Sequence, residues 1–100
     1  MMMSKQHIAD LLRDHEPEIR KLGVKSLGLF GSCVRGKPGP ESDVDLLYEF
    51  ESGKATLKNF SDLHDLLETV IPYKVELVSR KFLSPYIGPH ILREVEPILE

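Results

Sequence analysis

Leu29-Phe30-Gly31-Ser32-Cys33-Val34-Arg35-Gly36, followed across Lys37-Pro38-Gly39-Pro40-Glu41 by Ser42-Asp43-Val44-Asp45-Leu46-Leu47, is the stretch on which the fold turns. Upstream of it, Val24 to Phe30 reads as a strand, with Val24, Leu27, Leu29 and Phe30 apolar and Gly28 leaving room for a close neighbour. Gly31-Ser32 ends that strand abruptly. The run from Lys37 to Ser42 predicts a loop, because two prolines and a glycine exclude regular structure. Asp43 to Phe50 then reads as a second strand, in which Val44, Leu46 and Tyr48 alternate with Asp43, Asp45 and Leu47. A period of two puts both aspartates on one face.

That face carries chemistry. A glycine after a strand lets the backbone turn and present amide N–H groups to a phosphate. Ser32 adds a hydroxyl donor, and a short helix beginning there would aim its positive end at the same anion. Asp43 and Asp45 stand about 7 Å apart along the strand, so their side chains can converge on a hard cation such as Mg²⁺. Two such ions, about 3.5–4 Å apart, would clamp the attacking and leaving oxygens of an in-line phosphoryl displacement. A third carboxylate is then needed on a neighbouring strand, and Glu76 is the acidic residue inside the third predicted strand.

Outward from this centre, Ser4 suits the N-cap of a helix with Ile8, Leu11 and Leu12 on one side. Pro17 breaks that helix or opens a second one, and Gly23 stops it. Thr56 can cap a helix running to about Val70, with Leu57, Phe60, Leu63, Leu67 and Val70 as its apolar stripe. Pro72 ends it, and Tyr73 to Ser79 is the third strand. Ser84-Pro85 is expected to open a last helix, broken or shifted at Gly88-Pro89 and reaching Glu94. Pro97-Ile98-Leu99 is an edge strand or a tail.

The composition, 41% hydrophobic and 29% charged over 100 residues, fits one domain spanning residues 1–100. A net charge of −3 provides no global basic field, so a nucleic-acid partner is not favoured. The lone Cys33 makes no internal disulfide, and no apolar segment suits a signal peptide or a membrane span. A cytoplasmic setting is therefore expected. His7, His15, His64 and His90 lack metal-ligand spacing and read as surface or helix residues; Cys33 reads as a small filler. Tyr48, Tyr73 and Tyr86 read as sheet or core residues.

The Leu29–Gly36 and Ser42–Leu47 segments resemble the signature of the DNA polymerase beta-like nucleotidyltransferases, and within them the minimal nucleotidyltransferases of about this length. The similarity extends to the Lys74-Val75-Glu76-Leu77-Val78 strand and the closing Ile91-Leu92-Arg93-Glu94 segment. It implies an α+β fold, a small mixed β-sheet flanked by helices in the manner of a polymerase beta palm. It also implies Mg²⁺, as two ions, and a nucleoside triphosphate such as ATP. Carried onto this chain, Gly31, Ser32, Arg35 and Ser42 would hold the nucleotide, while Asp43, Asp45 and Glu76 would bind metal and act in catalysis. Many relatives are antitoxins encoded beside an all-helical HEPN-type toxin, and some transfer AMP to a toxin tyrosine.

Glu76 departs from the aspartate usual at the third carboxylate. It keeps the charge but reaches further by about 1.5 Å, which a small strand shift would absorb or which would slow turnover. Three functions therefore stand open: transfer of AMP from ATP to a hydroxyl of a partner protein; a catalytically weak antitoxin acting by occlusion; and transfer to RNA or a small molecule. A homo-oligomer is compatible with each.

Overall fold

A computed structural model describes residues 4–31, 34 and 43–100. The loop predicted over 37–42 lies outside them, as do Ser32, Cys33, Arg35 and Ser42. Two short helices come first, α1 (Lys5–Asp14) and α2 (Glu16–Lys21). Strand β1 (Val24–Phe30), strand β2 (Val44–Phe50), helix α3 (Leu57–Val70) and strand β3 (Val75–Ser79) follow. A 3₁₀ turn (Arg80–Phe82), helix α4 (Gly88–Glu94) and strand β4 (Glu96–Leu99) complete the order.

The local signals act as their chemistry dictates. The Ser4 hydroxyl accepts from the His7 N–H at 3.1 Å, and the Thr56 hydroxyl accepts from Asn59 N–H at 3.1 Å. Each satisfies a helix N–H that has no intrahelical partner. Pro17 lies in the first turn of α2, where its missing N–H costs nothing, and Gly23 leaves the helix at φ 95°.

The four strands form one mixed sheet in the order β3-β2-β1-β4. β1 is antiparallel to both β2 and β4, whereas β2 and β3 run parallel with α3 as their crossover. Leu27, Leu29, Val44, Leu46 and Val75 line one sheet face and pack with Ile8, Leu12, Ile19, Leu63 and Leu67 of the helices in one buried cluster. Leu47 and Phe30 are buried as well, outside that cluster, on the face that carries Asp45. The α+β sheet flanked by helices is thus as expected, and β4 settles the choice at the C-terminus as an edge strand.

Four details differ from the sequence reading. Leu57 is 82% exposed at the first position of α3, so it rims the helix start and does not join the apolar stripe. Tyr86 is 85% exposed in the turn before α4 and belongs to neither sheet nor core. β3 starts at Val75 because Ile71 to Tyr73 bend the chain out of α3 first. Finally, α4 opens at Gly88-Pro89 itself. Ser84 is the reason: its hydroxyl accepts from Tyr86 N–H at 3.1 Å and its carbonyl from Gly88 N–H at 2.7 Å, closing a turn that precedes the helix.

Candidate active site

β1 ends where β2 and β3 begin, so the antiparallel and parallel pairings bring three chain segments to one end of the sheet. Gly31 leaves β1 at φ 82°, in the left-handed region that glycine enters without a Cβ clash. The turn closes at once, with Val34 N–H donating to the Gly31 carbonyl at 3.1 Å. A Cβ at position 31 would lie 3.1 Å from Asp45 Cγ and 3.2 Å from its Cβ, and would overlap Oδ2. The glycine therefore does two things: it turns the chain, and it lets the Asp45 carboxylate lie against the backbone.

Asp45 pairs across the antiparallel ladder with Phe30 and across the parallel ladder with Glu76. Register partners on adjacent strands share a face, and the strands lie about 4.8 Å apart. Asp43 stands two residues before Asp45, at the mouth of β2 and half-buried; Glu76 is exposed. The β3 register is pinned by more than the ladder. Val44 N–H donates to the Lys74 carbonyl at 2.8 Å, and Val75 N–H donates to Glu68 Oε2 of α3 at 3.1 Å. His64 Nε2 lies 3.2 Å from the Val75 carbonyl and 3.7 Å from Glu68 Oε2. These α3 side chains fix the start of β3 and with it the place of Glu76.

The structure thus brings Gly31, Asp45 and Glu76 together with Asp43 at one sheet end. Among the described residues, no three His, Cys, Asp or Glu side chains are gathered closely enough to hold a metal ion. The donor chemistry is of the kind a hard cation takes: Asp45 and Glu76 are carboxylates on neighbouring strands, beside a corner that a Cβ would fill. Ser32, Arg35 and Ser42, expected at the nucleotide, lie outside the described residues.

Sequence reasoning missed one contact. The Gly31 N–H, expected to face a phosphate, donates to Glu94 Oε1 at 3.0 Å. No local pattern at the end of α4 announces it. A groove of about 790 Å³ lies at the opposite end of β2, lined by Tyr48, Phe50, Phe60, Leu57 and Phe82, away from the carboxylates. No helix among the described residues is long and apolar enough to cross a membrane.

Comparison with known proteins points the same way as the geometry. The model of the family described as nucleotidyltransferase domain matches residues 12–96. The protein adenylyltransferase MntA of Thermococcus cleftensis is 39% identical over 95 residues, covering 94% of this chain and 95% of that protein. A solved structure of a chain taken to be a minimal nucleotidyltransferase superposes with a TM-score of 0.81 at 30% identity, over 95% of this chain and 96% of that one. The same fold occurs, at 15% identity and a TM-score of 0.62, in the complex of tri-AMPylated Shewanella oneidensis HEPN toxin with MNT antitoxin; the match covers 90% of this chain and 71% of that one. Because the family model runs through β1, β2 and β3 and the site falls where those strands meet, the chain belongs to the nucleotidyltransferase domain family, as a minimal nucleotidyltransferase.

Proposed function

We propose that this chain, acting as a single domain over residues 1–100 in the cytoplasm, transfers AMP from ATP to a hydroxyl of a HEPN-type toxin and serves as its antitoxin. The observation that carries the reading is the pairing of Asp45 with Glu76 across parallel strands, with Gly31 closed against Asp45 and Asp43 just before β2. The adenylyltransferase name of the Thermococcus relative and the AMPylated toxin in the Shewanella complex support AMP and a HEPN acceptor.

The acceptor hydroxyl oxygen forms a bond to the α-phosphorus, and the bond from that phosphorus to the pyrophosphate oxygen breaks. Two Mg²⁺ ions, when bound, supply the positive charge that offsets charge developing on the attacking and leaving oxygens. Asp43 and Asp45 would hold them, with Glu76 completing the ligand set and taking the proton from the acceptor hydroxyl. Gly31 keeps the corner tight, and the residues after it, Ser32 and Arg35 with Ser42 across the loop, hold the triphosphate. The acceptor comes from the partner protein.

Incubation with α-³²P-ATP, Mg²⁺ and the product of the neighbouring gene, expected to be a HEPN-type protein, should label that protein. Asp43→Asn combined with Asp45→Asn should abolish the label. Failure of the folded wild-type chain to label its partner would sink the proposal. Neutralisation that survives the double substitution would replace it with occlusion, and label appearing on RNA or a small molecule alone would replace the acceptor.

A further inference from the structure

The Glu94 contact has a structural logic of its own. β1 and β4 pair Gly28 with Pro97 and Leu29 with Glu96, and two more pairs along this ladder would bring Gly31 opposite Glu94. The ladder stops before that point, because Gly31 turns away at φ 82° and Glu94 is the last residue of α4. A side-chain carboxylate then does what a backbone carbonyl would have done: Oε1 accepts the Gly31 N–H at 3.0 Å, part-buried. The aim of Glu94 is set by its neighbours. Val95 Cγ2 sits over Gly28, where a Cβ would come within 2.6 Å of it, and Val95 N–H closes α4 on the Ile91 carbonyl at 2.8 Å. Glu94 is thereby held over the same corner whose Cα faces Asp45.

We infer that Glu94 is a positioning residue for nucleotidyl transfer: by holding the Gly31 N–H it fixes the corner against which the Asp45 carboxylate is set. The inference rests on the proposed Mg²⁺–nucleotide site and adds to it a residue from the far end of the chain. It also changes the part given to Gly31. The Gly31 N–H serves the protein's own corner, and phosphate recognition passes to the groups that follow it. Reach matters more than charge here. Glutamine offers an oxygen at the same distance, whereas aspartate withdraws its carboxylate by about 1.5 Å, beyond hydrogen-bond range.

The test compares Glu94→Gln, Glu94→Asp and Glu94→Ala with the wild-type chain. The first readout is the amide exchange of Gly31 by ¹⁵N NMR. The second is Mn²⁺ titration, followed as broadening of the Asp45 and Glu76 amides. The third is kcat and KM for labelling of the partner protein. Glu94→Gln should stay within about threefold of wild type throughout, since a neutral acceptor preserves the bond. Glu94→Asp and Glu94→Ala should speed Gly31 exchange about tenfold and weaken Mn²⁺ about tenfold. Their kcat should fall about ten- to a hundredfold while KM for ATP holds, because the loss is one of alignment.

Aspartate behaving like wild type while glutamine behaves like alanine would overturn the inference in favour of charge. Four indistinguishable proteins would overturn it outright, as would faster turnover in Glu94→Ala. Should the alanine variant fail to fold, the glutamine–aspartate contrast decides alone. A wild-type chain that labels nothing defeats the proposed function, while exchange and Mn²⁺ still decide what Glu94 does.

Discussion

At the scale of single residues, the proposed site puts weight on one position without a side chain and one with an exposed side chain. Gly31→Ala places a methyl group on the Asp45 carboxylate and holds alanine at φ 82°. The left-handed backbone costs about 1–2 kcal/mol, which urea unfolding will register. Displacing Asp45 should cost more in activity than in stability, about a hundredfold or more in partner labelling. Glu76 behaves in the opposite way. Exposed on β3, its replacement by alanine should change stability by no more than about 0.5 kcal/mol. Partner labelling should nevertheless drop by about two to four orders of magnitude, with Glu76→Asp retaining part of it. An undiminished Glu76→Ala would reduce Glu76 to a solvent-facing strand residue. Asp45 was legible in the sequence because strand alternation sets it on the face opposite Val44 and Leu46, whereas Asp43, read as the first residue of that strand, precedes β2. The sequence placed Glu76 only on a neighbouring strand; that it stands beside Asp45 is a matter of register, which residues 31 positions apart cannot reveal until a parallel ladder aligns them. Glu94 was not legible at all, since its bond to Gly31 spans 63 positions and passes through a side chain.

At the scale of elements, periodicity and caps located α1, β1, β2 and α3 well, because each has an amphipathic pattern bounded by a capping hydroxyl, a glycine or a proline. The errors fell at ends. Leu57 fits the period of α3 yet stands at its first turn beside the open groove, and period says nothing about how far a helix overhangs its sheet. Pro89 lies in the first turn of α4, where the sequence pattern is equally consistent with a break, and only the Ser84 turn decides between them. The joint between β1 and the C-terminal α4–β4 unit is where an element-level test bites. Gly28 leaves room for Val95 Cγ2, and any Cβ there pushes against it. Gly28→Ala should therefore destabilise by about 1–3 kcal/mol through overpacking. Adding Val95→Ala vacates the space, so the double variant should be more stable than the sum of the two single effects predicts. Additive losses in urea unfolding would mean that the Gly28–Val95 contact does not govern this joint.

For the molecule as a whole, the core and the site share strands but face opposite ways. Val44 and Leu46 point into the helix-covered cluster, while Asp45, between them on the strand, faces the other way; Asp43 precedes β2. A ligand held by these aspartates is held by β2, and β2 comes apart only when the sheet does. Binding should then appear as global stability. At about a hundred times its Kd, a nonhydrolysable ATP analogue with Mg²⁺ contributes about 2.7 kcal/mol. For a chain of this size that corresponds to a rise in Tm of about 10–20 °C. Neither the analogue alone nor Mg²⁺ alone should give the full rise, and Asp43→Asn with Asp45→Asn should abolish it. Core and site should also add independently. Leu63, fully buried on α3, loses about 2–5 kcal/mol on replacement by alanine, yet the ligand increment should remain the same in that variant. A ligand increment that shrinks with Leu63→Ala would mean that the core sets the geometry of the carboxylates. No rise in the wild-type chain would place the failure at binding, before any question of turnover or of partner arises.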